Sequence, residues 1–193
     1  RTKPRDAGPI FPWHLLCEHL VPDDTFMSAR AITEHPKRRY IKTMNAFELL
    51  KADHQKVAKL LGKIDETTER GVKTREELFT QVKGELDLHA QIEESIFYPA
   101  LEEADETRDI TLEALEEHRL VKQLLSELAS MSKDSEEWTA KFSVLKENVE
   151  HHVEEEEGEM FPKAKKVLSK EDQETLGTRM EEAKNKKAQA KKA

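Results

Sequence analysis

Between residues 44 and 167, apolar side chains recur at alternating steps of three and four, in four separate stretches. That spacing puts them on one stripe of a helix, and four such stripes escape water only by facing one another. The first stripe carries Phe47, Leu50, His54, Val57, Leu61 and Ile64. The second carries Phe79, Val82, Leu86, His89, Glu93 and Ile96, and the third Thr111, Ala114, His118, Val121, Leu125 and Leu128. The fourth carries Trp138, Phe142, Leu145, Val149, His152 and Glu156. The pattern predicts an all-α fold: an up-down-up-down antiparallel four-helix bundle over residues 44–167. Gly71, residues 105–109 and residues 131–135 read as the three links. Thr74 with Glu77, and Asp134 with Glu137, have the spacing of capping boxes at the starts of the second and fourth helices.

The flanks differ from the bundle. Residues 1–43 hold five of the seven prolines and eight Lys/Arg against five Asp/Glu, with no sustained periodicity. They read as an irregular leader, with short helices expected near residues 13–20 or 25–34. The chain opens on Arg1, and Met44 looks like a natural beginning, so a non-native start is expected here. Residues 168–193 start with Ser169 and Asp172 at helix-start spacing, which predicts a fifth, polar helix ending in a Lys/Ala-rich tail. That tail reads as a solvated, frayed end.

Composition removes several classes. A net charge of −8 argues against general nucleic-acid binding. No run of about 18 apolar residues is present, so no membrane span is expected. The single cysteine, Cys17, allows no internal disulfide and fits a reducing, cytoplasmic setting.

Apart from Thr111, every polar residue on the four stripes is a histidine or a glutamate: His54, His89, Glu93, His118, His152 and Glu156. An imidazole or carboxylate turned into a bundle core costs several kcal/mol unless it is paired or bound to metal. One such residue is commonly a satisfied core histidine; six on four stripes need a common cause. Distances from the links agree. His54 and His89 each lie about five turns from the first link, and Glu93 and His118 sit at similar distances from the second. The two halves also repeat, since His54 to His118 spans 64 residues and His89 to His152 spans 63. Each repeat holds a His-x-x-x-Glu motif, and residues four apart share a helix face. Four imidazoles, two carboxylates and no thiolate suit iron, manganese or zinc rather than calcium or a cysteine-rich zinc site. If both glutamates bridge two octahedral ions and an oxo or hydroxo group joins them, about two positions stay open for a small ligand. His151 lies off the stripe and reads as a surface or outer residue. His14, His19 and His35 follow no spacing rule, and lysines on outer faces read as solvated.

Two motifs, His89 to Glu93 followed by Tyr98-Pro99 and His152 to Glu156 followed by Phe161-Pro162, together with His54 and His118, resemble the hemerythrin-like family, the hemerythrin HHE cation-binding domain. The resemblance covers residues 44–165. It implies two iron ions (Fe2+/Fe3+), oxo- or hydroxo-bridged, with His54, His89, His118 and His152 as terminal ligands and Glu93 and Glu156 as bridges. It also shows departures. Oxygen carriers place a fifth histidine where this chain has Lys122, and use an aspartate at longer spacing where it has Glu156. The chain is more similar to the broader bacterial group that includes iron-sulfur-cluster repair and sensing proteins.

The leading expectation is a cytoplasmic di-iron binding protein, rather than an enzyme, that senses, scavenges or buffers O2, NO, peroxide or iron. A di-iron enzyme of oxidative or nitrosative stress, peroxidase-like or repairing iron-sulfur clusters, is the alternative. A metal-free helical interaction module is the third.

Overall fold

The computed structural model describes residues 44–190. The expected leader over 1–43 and the last three residues of the tail lie outside the described residues.

Helix α1 (Ala46–Asp65) starts at a reciprocal cap: the Asn45 side chain accepts from the Glu48 backbone N–H, and the Glu48 carboxylate from that of Asn45. A 3₁₀ turn (Glu69–Gly71) leads into α2 (Val72–Ile92). A π turn (Glu93–Phe97) then continues that helix into α3 (Tyr98–Leu101). Helix α4 (Asp105–Ser130) and α5 (Glu136–Glu155) follow, and a second π turn (Glu156–Met160) continues α5 into α6 (Phe161–Val167). Helix α7 (Lys170–Ala190) closes the chain. The four stripes therefore become a helical bundle, and the fifth helix is present. Among the described residues no helix is long and apolar enough to cross a membrane.

Three expected start or link signals are corrected. Thr74 and Glu77 do not cap α2, which begins earlier, at Val72, because the 3₁₀ turn closed by the Gly71 N–H to Thr68 O bond (2.8 Å) feeds straight into it. Residues 105–109 are not a link but the first turns of α4. Their acidic side chains suit the positive end of the helix dipole, and Thr107 donates to Leu101 O at 2.5 Å to close the real link over 102–104. At α5 the cap is Ser135, whose hydroxyl accepts from the Trp138 N–H at 3.0 Å, while Asp134 accepts from the Ser132 hydroxyl. The Ser169–Asp172 start of α7 holds as expected, with the Asp172 N–H donating to the Ser169 hydroxyl at 3.1 Å.

Two apolar clusters fill the bundle. One, built on Leu61, Val82, Leu125, Trp138, Phe142 and Leu145, occupies the end near the first and third links. The other, built on Phe47, Leu50, Phe97, Tyr98, Leu101 and Phe161, occupies the opposite end and takes in Leu176 and Met180 of α7. So α7 is less of an appendage than its polarity implies. It crosses the start of α1 at Gly177, where a Cβ would lie 2.8 Å from Ala46 N and closer still to the Met44 carbonyl, so backbone meets backbone there. The six polar stripe residues fall outside both clusters, in the layer between them.

Candidate metal centre

The two π turns set the geometry. Each begins at a stripe glutamate, and each precedes a proline two residues beyond its end. Pro99 and Pro162 have no N–H to return to the preceding turn, and a helix interior resists that loss by about 3 kcal/mol. A wider turn absorbs it: the N–H groups of Tyr98 and Phe161 bond back five residues, to Glu93 O and Glu156 O. The extra residue rotates everything beyond it. Ile96, expected on the stripe, is therefore only half-buried, and Ile92 and Phe97 are buried instead.

All six expected residues converge. His54, His89, His118 and His152 are 4–5% exposed, Glu93 is 0% and Glu156 1%. The rings of His54 and His89 lie 4.9 Å apart and those of His118 and His152 4.8 Å, so each histidine faces the one across its own hairpin. This pairing makes α1 antiparallel to α2, and α4 to α5. His89 Nε2 is 3.1 Å from Glu93 Oε2, His118 Nε2 is 3.3 Å from that same oxygen, and His54 Nε2 is 3.1 Å from Glu156 Oε2. The donor atoms form two overlapping groups, each within 4.8 Å: His54, His89, Glu93 and Glu156 in one, Glu93, His118 and His152 in the other. Glu93 belongs to both.

Among the described residues, seven buried side-chain N and O atoms have no hydrogen-bond partner. They are His54 Nε2, both ring nitrogens of His89 and all four carboxylate oxygens of Glu93 and Glu156. Buried polar atoms are nearly always satisfied, and their concentration at one point marks a place built for a cation.

The electrostatics agree. Burial, reinforced by the charge of Glu156, pushes the Glu93 carboxyl well above the usual range. Burial also pushes Glu156 upward, but the His54 ring 3.1 Å away and the surrounding imidazoles outweigh it and hold Glu156 at about 2. Two carboxylates this close do not both ionise without a cation, and the one beside His54 takes the charge. Burial and the neighbouring His152 lower His118 to about 4. Any proton still on Glu93 must leave when an ion binds, so metal affinity falls as pH falls.

A surrounding ring of carboxylates was not foreseen. His54 Nδ1 lies 2.8 Å from Glu157 Oε1, His118 Nδ1 3.0 Å from Glu94 Oε1 and His152 Nδ1 2.7 Å from Glu117 Oε2, while His89 Nδ1 is 3.8 Å from Asp53 Oδ2. The three hydrogen bonds, at His54, His118 and His152, fix the tautomer that leaves Nε2 free to face inward, while Asp53 is a charge behind His89 without a hydrogen bond to it. The signal was in the sequence: an acidic residue stands next to His54, Glu93, His118 and Glu156 alike. Lys122 also has a use. Although exposed, it pairs with Glu94 at 2.5 Å, and Glu94 in turn holds His118. Tyr98, the aromatic residue of the first motif, places its hydroxyl among the inward-facing atoms, 3.4 Å from His118 Nε2. Phe161 occupies the matching position in the other half, so the two halves differ there.

On its other side the layer meets a cavity of about 20 Å³ walled by the four histidines and by Val57, Leu86, Val121, Leu125 and Val149.

Comparison with known proteins agrees with this geometry. A protein of Mycobacterium tuberculosis of uncharacterised function is 33% identical over 141 residues, 71% of this chain and 83% of that one. A DNA nickase of a Nostoc species is 29% identical over 143 residues, 74% of this chain but only 40% of the nickase's length. The crystal structure of a hemerythrin HHE cation binding domain-containing protein from Mycobacterium kansasii superposes with a TM-score of 0.63 at 32% identity, covering 74% of this chain and 89% of that one. The family model described as the hemerythrin HHE cation binding domain matches residues 45–164, and the chain belongs to that family.

Proposed function

We propose that the protein holds two iron ions and uses them to bind, sense or buffer a small molecule of the O2, NO or peroxide class. The observation that carries this reading is the set of seven unpartnered buried donor atoms gathered on His54, His89, Glu93 and Glu156. His54, His89, His118, His152, Glu93 and Glu156 would hold the ions, and Glu93 belongs to both donor groups. Imidazole with carboxylate suits iron, which supplies redox chemistry toward small diatomics and peroxide when bound.

The chain's own residues define what reaches the ions. The cavity of about 20 Å³ fits one water-sized molecule, since a single water needs about 10–15 Å³. Its wall is mostly aliphatic, with Lys122 at its edge, and favours a small uncharged ligand. The carboxylates behind the histidines hold the rings in place, so a ligand meets a fixed arrangement. A cytoplasmic location is part of this reading, since a single cysteine permits no internal disulfide. The similarity to the nickase covers 40% of that protein, and DNA nicking is not carried over.

Anaerobic reconstitution of the full chain with ferrous iron is expected to give about two irons per chain, as two octahedral ions would require. Exposure to O2 or NO should then change the visible absorption. Protein that takes up no metal under either aerobic or anaerobic conditions would refute the reading.

One observation favours the enzyme alternative. The Tyr98 hydroxyl sits among the donor atoms, and burial pushes its phenol well above the usual value, so it keeps a proton to give. If peroxide is turned over, Tyr98→Phe should lower kcat by about 10²–10⁴-fold while iron content stays constant. Equal turnover in the variant, or none in the parent, counts against catalysis.

A further inference from the structure

Three of the four carboxylates behind the histidines are neutralised by a lysine. Glu157 pairs with Lys51 at 2.8 Å, Glu94 with Lys122 at 2.5 Å and Asp53 with Lys184. Glu117 is the exception. Among the described residues no lysine or arginine pairs with it. One oxygen, Oε2, accepts from His152 Nδ1 at 2.7 Å. The other, Oε1, looks outward and lies 3.9 Å from His151 Nε2. The same His151 nitrogen is 3.4 Å from Glu155 Oε1, one turn further along α5. These three donor atoms lie within 4.8 Å of one another. The separations are long for hydrogen bonds. They are close to the roughly 3.4 Å that two ligands keep when each is about 2.1 Å from a tetrahedral ion.

We propose that Glu117, His151 and Glu155 form a surface site for a divalent first-row transition ion, and that this site loads the buried centre. Imidazole with two carboxylates suits such an ion, and the exposed side leaves positions for water. Glu117 supplies the link, with one oxygen in the surface group and the other on His152. An ion held outside is therefore one carboxylate and one imidazole away from the layer within. Position explains why this corner differs from its equivalent. Helix α7 packs along α1 and brings Lys184 to Asp53, whereas among the described residues no lysine or arginine pairs with Glu117. His151, off the apolar stripe and 63% exposed in its side chain, acquires a role that its spacing did not reveal.

The surface site stands independently of the proposed function; its loading role rests on that reading. Both can be tested on the full chain reconstituted with iron, using Co2+ as the probe. Cobalt titration followed by visible absorption is expected to show one further ion per chain. His151→Ala and Glu155→Gln should each weaken it at least about tenfold, by the usual sensitivity of metal sites to their ligands and partners. Both residues are exposed or half-buried on a helix surface, so far-ultraviolet circular dichroism should match the parent. Cobalt binding that is absent, or unchanged by both substitutions, overturns the site. The loading role is read from anaerobic Fe2+ uptake. His151→Ala should slow uptake several-fold and leave the final iron content unchanged, whereas equal rates overturn that role. A chain whose centre takes no iron still reports on the surface site through the same cobalt comparison.

Discussion

Replacing Glu93 with methionine is expected to stabilise the metal-free protein while removing the two-ion capacity proposed for the site. Glu93 is 0% exposed, and neither carboxylate oxygen has a hydrogen-bond partner. Burial holds this carboxyl protonated, and a buried polar group without a hydrogen bond costs about 1–3 kcal/mol that an apolar side chain of similar volume avoids. At roughly 2–4 °C per kcal/mol for a domain of this size, the metal-free melting temperature should rise by several degrees. The pH dependence has a defined sign. Burial raises the Glu93 carboxyl above its ordinary 4.5, so above that value the folded chain binds more protons than the unfolded chain and stability falls as pH rises. The advantage of Glu93→Met should thus be largest at neutral pH and shrink toward pH 4.5. Glu156 behaves oppositely. Its folded value of about 2 makes it a contributor above 4.5 that is lost as pH falls toward 2. Since Glu93 lies in both donor groups, its loss should cut metal content from about two ions to at most one, by the same ligand count. Melting curves after chelation and metal analysis check both halves. A lower metal-free melting temperature, or two ions retained, would contradict the account.

Stripping metal from the parent chain should have the largest effect of all on stability. An ion present at about a thousand times its Kd adds about 4 kcal/mol to the folded state by mass action. That is roughly 10 °C per ion for a chain of this size. Removal also re-exposes the cost of six buried ionisable side chains without a cation. Melting curves with and without chelator should therefore separate by at least about 10 °C, and re-addition of ferrous iron should restore the difference. Coincident curves would favour the metal-free interaction module.

The bundle was legible because periodicity and burial are the same fact seen twice. Of the stripe residues only Ile96 fails to be buried, and the failure has a local cause. Pro99 forces a π turn, and the seam slips by one residue behind it. The sequence pattern held both ingredients, the glutamate and the proline six positions on, but a constant 3.6-residue period cannot represent a wider turn. Links were read less well. Residues 105–109 look like a polar linker by composition, yet acidic residues also suit a helix start. Which role they take depends on where the Thr107 hydroxyl finds a carbonyl. Lys133 shows the same limit. It reads as a surface residue but is 4% exposed, its ammonium donating to Leu128 O at 3.0 Å and Met131 O at 2.8 Å beneath the Phe79 ring.

By itself the sequence determined the four amphipathic helices, the repeat that relates them and the six polar residues that meet between them. These follow from spacing along one chain, because residues three and four apart share a face whatever lies beyond it. The tertiary structure alone decided which nitrogen of each histidine faces inward, that Glu93 is common to both donor groups, and that Tyr98 reaches the centre while Phe161 does not. It also decided that Lys122, Lys51 and Lys184 neutralise three outer carboxylates, while among the described residues no lysine pairs with Glu117. Those outcomes depend on distances between different helices, set by how side chains pack across the bundle, and no periodicity within one helix encodes them.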